Sequence, residues 1–358
     1  MQKQKNQKSA WKIVCSIAIS GTILLQGAVT AAWASDSDYG NHWAKEEIGK
    51  MVALRLYQGD EQGLIRPDRV MTRAEFMTLL VRAFDFQVNF IKAPDIKDIV
   101  DDVPSNAWYT DDLIRAAHTF LPIEHRIFHP DEGMTREVMA QWIMAAYTHK
   151  SNQTITIAEE NLNFTDAGEI DPLYTEAVKE AASLKWLTGY DDGTFQPKAQ
   201  VTRAQAAVIV ARMLQTLPEN QRKEIIPFQY HSRADQGKWD APQQGMILRS
   251  KEDIRTFEEK WRDPSSSLSL LDPAQIDFEK QAVVALIGYP SSSSNPPLVT
   301  SMVRQDDQLT IHLEKKTGVI ETADITGIYR FYKVSKEKVY GIKEVRTDLH
   351  TITVSPEK

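Results

Sequence analysis

At 358 residues the chain is longer than most single domains, and its composition, 42% hydrophobic and 25% charged, is typical of globular proteins with apolar cores. Its formal charge of −7 argues against nucleic acid and anionic lipid as general partners. Its single cysteine, Cys15, excludes a disulfide within the chain.

The N-terminal segment has the features of a signal peptide. Four lysines precede an apolar run at residues 13–29, and the small-residue sequence Ala-Trp-Ala follows at residues 32–34. Cleavage after Ala34 would remove Cys15 and change the formal charge from −7 to −11. An uncleaved membrane anchor is the alternative, but the run is shorter than the ~20 residues that a spanning helix needs. We therefore predict a secreted protein without a transmembrane segment after cleavage.

One unit occurs three times in the next 180 or so residues, in copies that span about 36–86, 99–148 and 164–217. Residues 43–73 align with residues 173–203 without a gap, at a constant offset of 130. The middle copy is two residues shorter in its loop. Repeats of this length predict one supersecondary unit for each copy.

Each copy is predicted to fold as a helix, a loop and a second helix. Apolar residues recur at helical spacing before and after the loop. In copies 1 and 3 the loop contains a pair of glycines, which indicates a tight turn because glycine adopts positive φ at little cost. These glycines are Gly59 and Gly63 in copy 1, and Gly189 and Gly193 in copy 3.

The second helix of each copy begins with a capping signal. Thr72 and Thr202 are predicted N-caps, and Glu75 and Gln205 stand three residues later, as in a capping box. Val138 takes that place in copy 2, so we expect its box to be incomplete.

An arginine follows the N-cap position in all three copies, at Arg73, Arg136 and Arg203. The helix dipole disfavours a cation there by roughly 0.3–1 kcal/mol, so three such residues indicate a negative partner. A helix N-terminus offers free N–H groups to an anion, and a guanidinium binds a carboxylate through two hydrogen bonds. The alternative is an internal ion pair that holds the loop, with an acid such as Asp68, Asp131 or Asp192.

Trp43 and Trp108 begin the first helices of copies 1 and 2, and Leu173 has this place in copy 3. An indole can stack on a sugar ring or anchor a core. We favour a core role, or one shared between core and sugar, for both tryptophans.

In combination these motifs resemble surface-layer homology (SLH) modules. Copy 3 reads DGTFQP from Asp192 and then VTRAQ at residues 201–205, and copy 1 reads MTRAE at residues 71–75. The resemblance covers about residues 36–217. It implies a pseudo-threefold trimer of short helices that binds a secondary cell-wall polysaccharide, often with pyruvylated ends. Such modules hold secreted proteins at the cell surface, in association with the surface layer.

The resemblance also implies which residues bind the glycan. A ketal carboxylate would be the anion that the three arginines bind. Copy 2 has LPIEHR in place of the glycine-rich loop and copy 3 lacks the leading tryptophan, so one or two working sites are expected. The predicted polysaccharide-binding residues are Arg73, Arg203, Arg136, Trp43, Trp108, Gly59, Gly63, Gly189, Gly193, Asp192, Thr72 and Thr202. No cofactor is expected, and the spacing of His118, His125 and His129 does not favour a metal site.

The rest of the chain is predicted to be a linker at residues 218–243 and an α+β domain at residues 244–358. The linker prediction rests on prolines and many charges. Ser250 caps a helix with Ile254, Phe257 and Trp261 on one face, and the apolar run at residues 282–287 indicates a strand buried on both faces. Further strands are predicted at residues 245–248, 298–303, 309–313, 328–334 and 339–345. The predicted fold class is therefore an all-α pseudo-trimer of helix–loop–helix repeats, followed by a small α+β domain with an antiparallel sheet.

This order of elements resembles the C-terminal domain of PrcB-type proteins. The best-matching residues are Ile-Asp-Phe at 276–278 and the run at 283–288, whereas a serine-rich stretch at 291–297 replaces the usual glycine pair. The resemblance implies a non-catalytic domain that binds a protein partner, in that family a surface protease.

Residues for catalysis do not stand in any familiar arrangement. Serines 291–294 lack a strand–turn–helix elbow, and His231, His312 and His350 have no spacing that ties them to a nucleophile. We therefore predict that the protein is not an enzyme. A wall-associated hydrolase with a catalytic C-terminal domain is the main alternative, and a structural lattice protein is a third.

Overall fold

The computed structural model describes residues 38–353, except residues 89, 93, 153–161, 239, 289–296 and 318–326. The predicted signal peptide and the serines at 291–294 lie outside the described residues. Within them the chain forms seven α-helices and eight β-strands. None of these described helices combines the length and the apolar character that a membrane crossing requires.

The three copies supply six of the helices around one apolar core. Nine of the twelve residues of α2 are buried, so the second helices lie inside this part of the protein rather than on its surface. The first helices are α1 (Lys45–Ala53), α3 (Thr110–Ala117) and α5 (Thr175–Ser183), and the second helices are α2 (Arg73–Phe84), α4 (Arg136–Ser151) and α6 (Arg203–Thr216).

A closed ring of backbone hydrogen bonds joins the copies just before the second helices. The Met71 N–H donates to Val201 O at 2.9 Å, the Val201 N–H donates to Met134 O at 2.8 Å, and the Met134 N–H donates to Met71 O at 2.9 Å. The three side chains are fully buried, so each bond lies in a medium where an unpaired backbone group would be costly. The ring gives the repeats their pseudo-threefold arrangement.

The N-caps of the second helices differ as the sequence predicted. Thr72 and Thr202 accept hydrogen bonds from the N–H groups of Glu75 and Gln205, and both capping boxes are complete. Thr135 makes no side-chain cap bond, and its buried hydroxyl has no hydrogen-bond partner among the described residues. Both predicted boxes and the incomplete third one are confirmed.

The C-terminal part consists of two packed sheets and a covering helix. One sheet has the strand order β2-β7-β4-β3, and the other has the order β1-β5-β6-β8. The helix is α7 (Lys251–Trp261), and the strands are β1 (Lys223–Ile225), β2 (Phe228–Gly237), β3 (Gln244–Leu248), β4 (Gln281–Ile287), β5 (Leu298–Gln305), β6 (Gln308–Thr317), β7 (Gly327–Ser335) and β8 (Glu344–Thr353).

Strand β4 contributes to two cores, as its continuous apolar run predicted. One face of the strand packs against α7 and the other packs against the second sheet. Helix α7 buries Ile254, Phe257 and Trp261, and its N-cap Ser250 accepts a hydrogen bond from the Asp253 N–H. The layers are therefore helix, sheet and sheet.

The predicted fold class is wrong. The chain is not an all-α protein with one small antiparallel sheet, because eight strands form two four-stranded sheets, and β8 pairs with β6 in parallel. Residues 218–243 contain β1 and β2, since Pro218 and Pro227 stand between elements instead of interrupting them. The last strand starts at Glu344, after a short 3-10 helix at Glu337–Val339. Parallel pairing between distant strands has no local sequence signal.

Arg55, at the end of α1, connects the repeats to the second sheet. Its Nη2 donates to Leu313 O at 2.7 Å, and its Nη1 lies 3.5 Å from the Asp348 carboxylate. The same carboxylate lies 3.1 Å from His312 Nδ1. This contact places a histidine in a partly desolvated interface.

The contact makes the stability of the protein depend on pH. Burial lowers the pKa of His312, the hydrogen bond to Asp348 opposes this shift, and Arg55 and Lys223 reinforce it. Because the folded state disfavours the charged imidazole, the unfolded chain binds more protons below about pH 6.5, and stability falls as the pH drops through this range. We expect the melting temperature of the wild type to fall more than that of His312→Gln between about pH 7.5 and 5.5.

The matched control is His125→Gln, which changes an exposed histidine. Its melting temperature should follow that of the wild type over the same range. If His312→Gln also follows the wild type, His312 does not contribute to the pH dependence.

Candidate functional site

Each arginine of the repeated motif holds the loop of another copy. The loop residue two positions before the loop proline, here called the hook residue, is Ile65, Phe128 or Phe195 in copies 1, 2 and 3. Its carbonyl oxygen accepts a hydrogen bond from the arginine of the preceding copy, in cyclic order. The pairs, all from Nε, are Arg73 to Phe128 at 2.8 Å, Arg136 to Phe195 at 2.7 Å and Arg203 to Ile65 at 2.8 Å.

Arg136 and Arg203 are the more deeply placed of the three. They are 4% and 8% exposed, and each makes a second bond from Nη2, to Thr188 O at 2.9 Å and to Gln58 O at 3.2 Å. Arg136 lies over the ring of Tyr190, 4.8 Å from its centroid. Burial lowers the pKa of Arg136. These contacts fix the guanidinium by hydrogen bonds and by cation–π attraction.

Arg73 is half-buried and has fewer contacts. Its guanidinium lies 4.9 Å from the centroid of Trp142, and among the described residues its side chain has one hydrogen bond, the Nε bond to the hook carbonyl. Burial lowers the pKa of Arg73, while Glu132 opposes this shift.

The helix N-termini do not offer the free N–H groups that the sequence suggested. The Arg136 N–H donates to Ala199 O at 3.1 Å, and the Glu137 N–H donates to Pro197 O at 3.1 Å. The same pairs recur in the other copies: Arg73 with Glu132, Ala74 with Pro130, Arg203 with Arg69 and Ala204 with Pro67. The neighbouring loop therefore blocks the anion binding that we predicted for these helix termini.

The ion pairs with the loop aspartates are not formed, although Arg203 Nη1 lies 3.7 Å from the carboxylate of another acid, Glu75. In the described part of the chain, the three arginines have no contact with Asp68, Asp131 or Asp192. Asp68 lies 3.1 Å from His42, and Asp192 accepts hydrogen bonds from the N–H and the hydroxyl of Thr194 at 2.9 and 2.6 Å. These bonds lower the pKa of Asp192. Its role in the structure is to hold the loop of copy 3.

The sequence analysis missed one acid in each copy. Asp166 accepts hydrogen bonds from the N–H groups of Phe195 and Gln196, both at 2.7 Å. Asp38 and Asp102 do the same for copies 1 and 2. Each acid precedes the residue aligned with Trp43 in its copy by five to seven positions, and this drift hid the match from a gap-free alignment.

The four loop glycines have two different roles. Gly63 and Gly193 have φ of 77° and 81°, in the left-handed region that favours glycine. Gly59 and Gly189 allow close approach instead: a Cβ on Gly59 would lie 2.5 Å from the Gly63 carbonyl carbon. Both pairs shape the loops. Thr72 and Thr202 likewise serve as caps.

The leading tryptophans lie on the surface. Trp43 is 48% exposed and Trp108 is 62% exposed, and Leu173 at the equivalent place is also mostly exposed. A core role alone is therefore wrong for both tryptophans, and the role shared between core and sugar stays a prediction. An exposed indole beside a polar groove is suited to stack on a sugar ring.

Trp43 lies beside Arg136 at the edge of a cavity of about 30 Å³. We call this place the Trp43 groove. The cavity holds one or two waters or a group as small as a carboxylate, so a sugar ring would lie outside it, against the indole. The polar and aromatic residues of the groove are Trp43, Arg136, Trp186, Thr188, Tyr190, Gln205 and Arg212.

Metal ligands do not cluster in the described residues: no group of three histidine, aspartate, glutamate or cysteine side chains is placed to hold an ion. His118 Nδ1 lies 2.8 Å from Ile114 O on its own helix.

Two segments of the chain match the S-layer homology domain, at residues 35–77 and 163–207. These ranges fall in copies 1 and 3, so the resemblance is confirmed for two modules. The third module and the PrcB-like domain remain predictions.

Several larger proteins are similar to the repeats. The chain is 29% identical over 209 residues to an amylopullulanase of Thermoanaerobacterium thermosulfurigenes, over 55% of this chain and 11% of the relative. It is 23% identical over 238 residues to a surface-layer 125 kDa protein of Lysinibacillus sphaericus, over 63% and 19%. It is 25% identical over 207 residues to the S-layer protein sap of Bacillus anthracis, over 54% and 24%. The chain thus spans less than a quarter of each relative.

The S-layer homology matches and the surface-layer relatives identify a secreted protein of the cell surface, associated with the cell wall. The predicted localisation is confirmed.

The arginine contacts predict unequal effects of substitution on stability. Arg136→Met leaves two carbonyl oxygens without their donor, so we expect it to lower the free energy of unfolding by about 2–4 kcal/mol. Arg73→Met removes a half-buried side chain with one such bond and should cost less than about half as much. Urea denaturation followed by far-ultraviolet circular dichroism measures both. Equal losses would contradict the assignment of Arg136 as the more strongly fixed arginine.

Proposed function

We propose that this protein is non-catalytic, that its S-layer homology modules hold it on a secondary cell-wall polysaccharide, and that its C-terminal domain binds a protein partner. The observation that carries the first part is the Trp43 groove, where an exposed indole lies beside a cavity lined by arginines. S-layer homology domains in general bind such polysaccharides, and an acidic sugar matches the groove in shape and charge.

The role of the C-terminal domain rests on the resemblance of its element order to PrcB-type proteins. The structure has a strand, then helix α7, and then the strand β4, which is buried on both faces, and this agrees with that order. We propose a protein partner for this domain, in the manner of a protein that stabilises a surface protease.

A wall-associated hydrolase is the rival, because the relatives include an amylopullulanase and an exoglucanase. Their matches cover 11% and 18% of those proteins, so they concern the repeats. The structure does bring Ser301, His312 and Asp348 into one row across β5, β6 and β8. Ser301 is 3% exposed, however, and its hydroxyl has no partner among the described residues. The row lacks the hydrogen bond from nucleophile to base that activates a serine.

We expect the purified protein to co-sediment with wall sacculi, and mild acid that removes pyruvate ketals to abolish this. Trp43→Ala combined with Trp108→Ala should weaken binding about tenfold, since the double variant removes both exposed indoles of the repeats, whichever of the two stacks on the sugar. Affinity is measured from the free fraction at increasing amounts of sacculi. Arginine variants are less suitable, because Arg203 holds the hook of copy 1 and its loss is expected to weaken the fold.

The matched control is Tyr340→Ala, which removes an aromatic ring that is exposed in the C-terminal domain. It should bind like the wild type. Binding that survives acid treatment, or a double variant that binds as well as the wild type, would show that the repeats do not bind an acidic wall glycan through these residues.

The non-catalytic proposal has its own test. The protein should release no soluble sugar or peptide from wall material and casein, and a fluorophosphonate should not label it, because Ser301 is neither exposed nor activated. Labelling that Ser301→Ala removes, together with hydrolysis, would establish the rival instead.

A further inference from the structure

The pseudo-threefold arrangement relates the Trp43 groove to two equivalent places, at Trp108 and at Leu173, which we call the Trp108 and Leu173 grooves, and the residues at these places differ in charge. Each groove combines the leading residue of one copy, the motif arginine of the next copy and the second helix of the remaining copy. The Trp43 groove has this composition, with Arg136 from copy 2 and with Gln205 and Arg212 from helix α6. The equivalent positions in the other grooves follow from the repeat.

The position nine residues after the motif arginine differs between the copies. It is Arg212 in the Trp43 groove, Arg82 beside Trp108, and Ala145 beside Leu173. The position two residues after the motif arginine is Gln205, Glu75 and Val138 in the same order. The copies therefore differ at both positions, although the motif arginine is the same residue in all three.

Acids neutralise the groove that contains Trp108. Arg82 forms an ion pair with Asp112, with 3.1 Å between Nη2 and the carboxylate, and Arg203 lies 3.7 Å from the Glu75 carboxylate. Asp112 is buried and is held by a second arginine, Arg115, at 2.8 Å. An anionic ligand would have to compete with these carboxylates. The Leu173 groove has neither the indole nor a second arginine.

In the Trp43 groove the positive charge is not neutralised in this way. Arg212 is half-buried, and its Nη1 donates to two backbone carbonyls, Trp186 O at 3.2 Å and Lys185 O at 3.5 Å. No carboxylate of the described residues lies within ion-pair distance of Arg212 or Arg136. The Asp166 carboxylate partly opposes the lowering of the Arg136 pKa by burial, but it already accepts hydrogen bonds from two backbone N–H groups.

Trp186 adds an independent observation. It lines the same cavity, is fully buried, and its indole N–H has no hydrogen-bond partner among the described residues. A buried donor without an acceptor costs about 1–3 kcal/mol. A ligand that brings acceptor oxygens into this cavity would reduce that cost.

We propose that the Trp43 groove is the ligand site among the three grooves, and that Arg212 determines its specificity by binding the carboxylate of an acidic sugar. This inference rests on the proposed function, polysaccharide binding by the repeats. Arg136 positions the Thr188–Tyr190 side of the groove through its carbonyl bonds. Trp43 provides the surface for the sugar ring, and Arg212 provides the charge.

The test uses the full chain and a defined probe, a methyl hexoside that carries a pyruvate ketal, with the ketal-free glycoside for comparison. Calorimetric titration should show that Arg212→Gln weakens binding of the ketal at least about tenfold, since a charge-assisted hydrogen bond is lost. Arg82→Gln, at the same position of copy 1, should change it less than about twofold. Arg212→Lys should give an intermediate loss, because lysine keeps the charge but not the two-bond geometry.

A second pair of variants tests the groove independently of Arg212. Trp43→Ala should weaken binding and Trp108→Ala should leave it unchanged, and melting temperatures verify that all variants fold. Equal effects of the two tryptophans, or full affinity in Arg212→Gln, would overturn the assignment while the wild type still binds. If the wild type binds neither the ketal nor sacculi, the proposed function fails and this inference fails with it.

Discussion

The repeat part of the protein depends on a hydrogen bond that each copy receives from another. A motif arginine donates to the hook carbonyl of the next copy, and an aspartate of that copy holds the adjacent N–H groups from the other side. Because the third arginine, Arg203, returns to copy 1, the contacts close into a ring. No copy can complete its own loop, and the three must therefore fold together. The cation at each helix start is stabilised by carbonyl oxygens and aromatic rings, which offset its unfavourable position in the helix dipole.

This constraint separates the residues that build the fold from those that remain for a ligand. The three arginines and their partner aspartates are engaged in the loops of all three copies, and the threonines and glycines of the motif shape the caps and loops of copies 1 and 3. The ligand must then depend on residues that vary between copies and lie at the groove surfaces. Trp43 and Arg212 are such residues, and neither is required for the ring. The residues that repeat thus build one scaffold, and the residues that differ between the copies leave a single groove charged.

The two parts of the chain are in contact through one corner of the second sheet. Arg55 leaves helix α1 in a left-handed conformation, with φ of 55°, and contacts both the backbone and Asp348 of the sheet. Asp348 of this contact also lies 3.1 Å from His312 Nδ1, and Ser301, which pairs with His312 in the sheet, is 3% exposed. The repeats and the C-terminal domain are thereby held in contact with each other.

Local sequence signals determined the helices of the repeats, their caps, the buried strand β4 and helix α7, because these depend on residues three or four positions apart or on one apolar run. The surface-layer resemblance also came from short motifs. Tertiary structure alone decided the rest. Strands β1 and β2 form because partners 78 or more residues away pair with them, and β8 lies parallel to β6 because two strands separated by other elements meet in the folded chain. Likewise, the sequence marks Arg136 as a motif residue, but only the packing shows that it bonds to the loop of the next copy and that Arg212 lies at the groove.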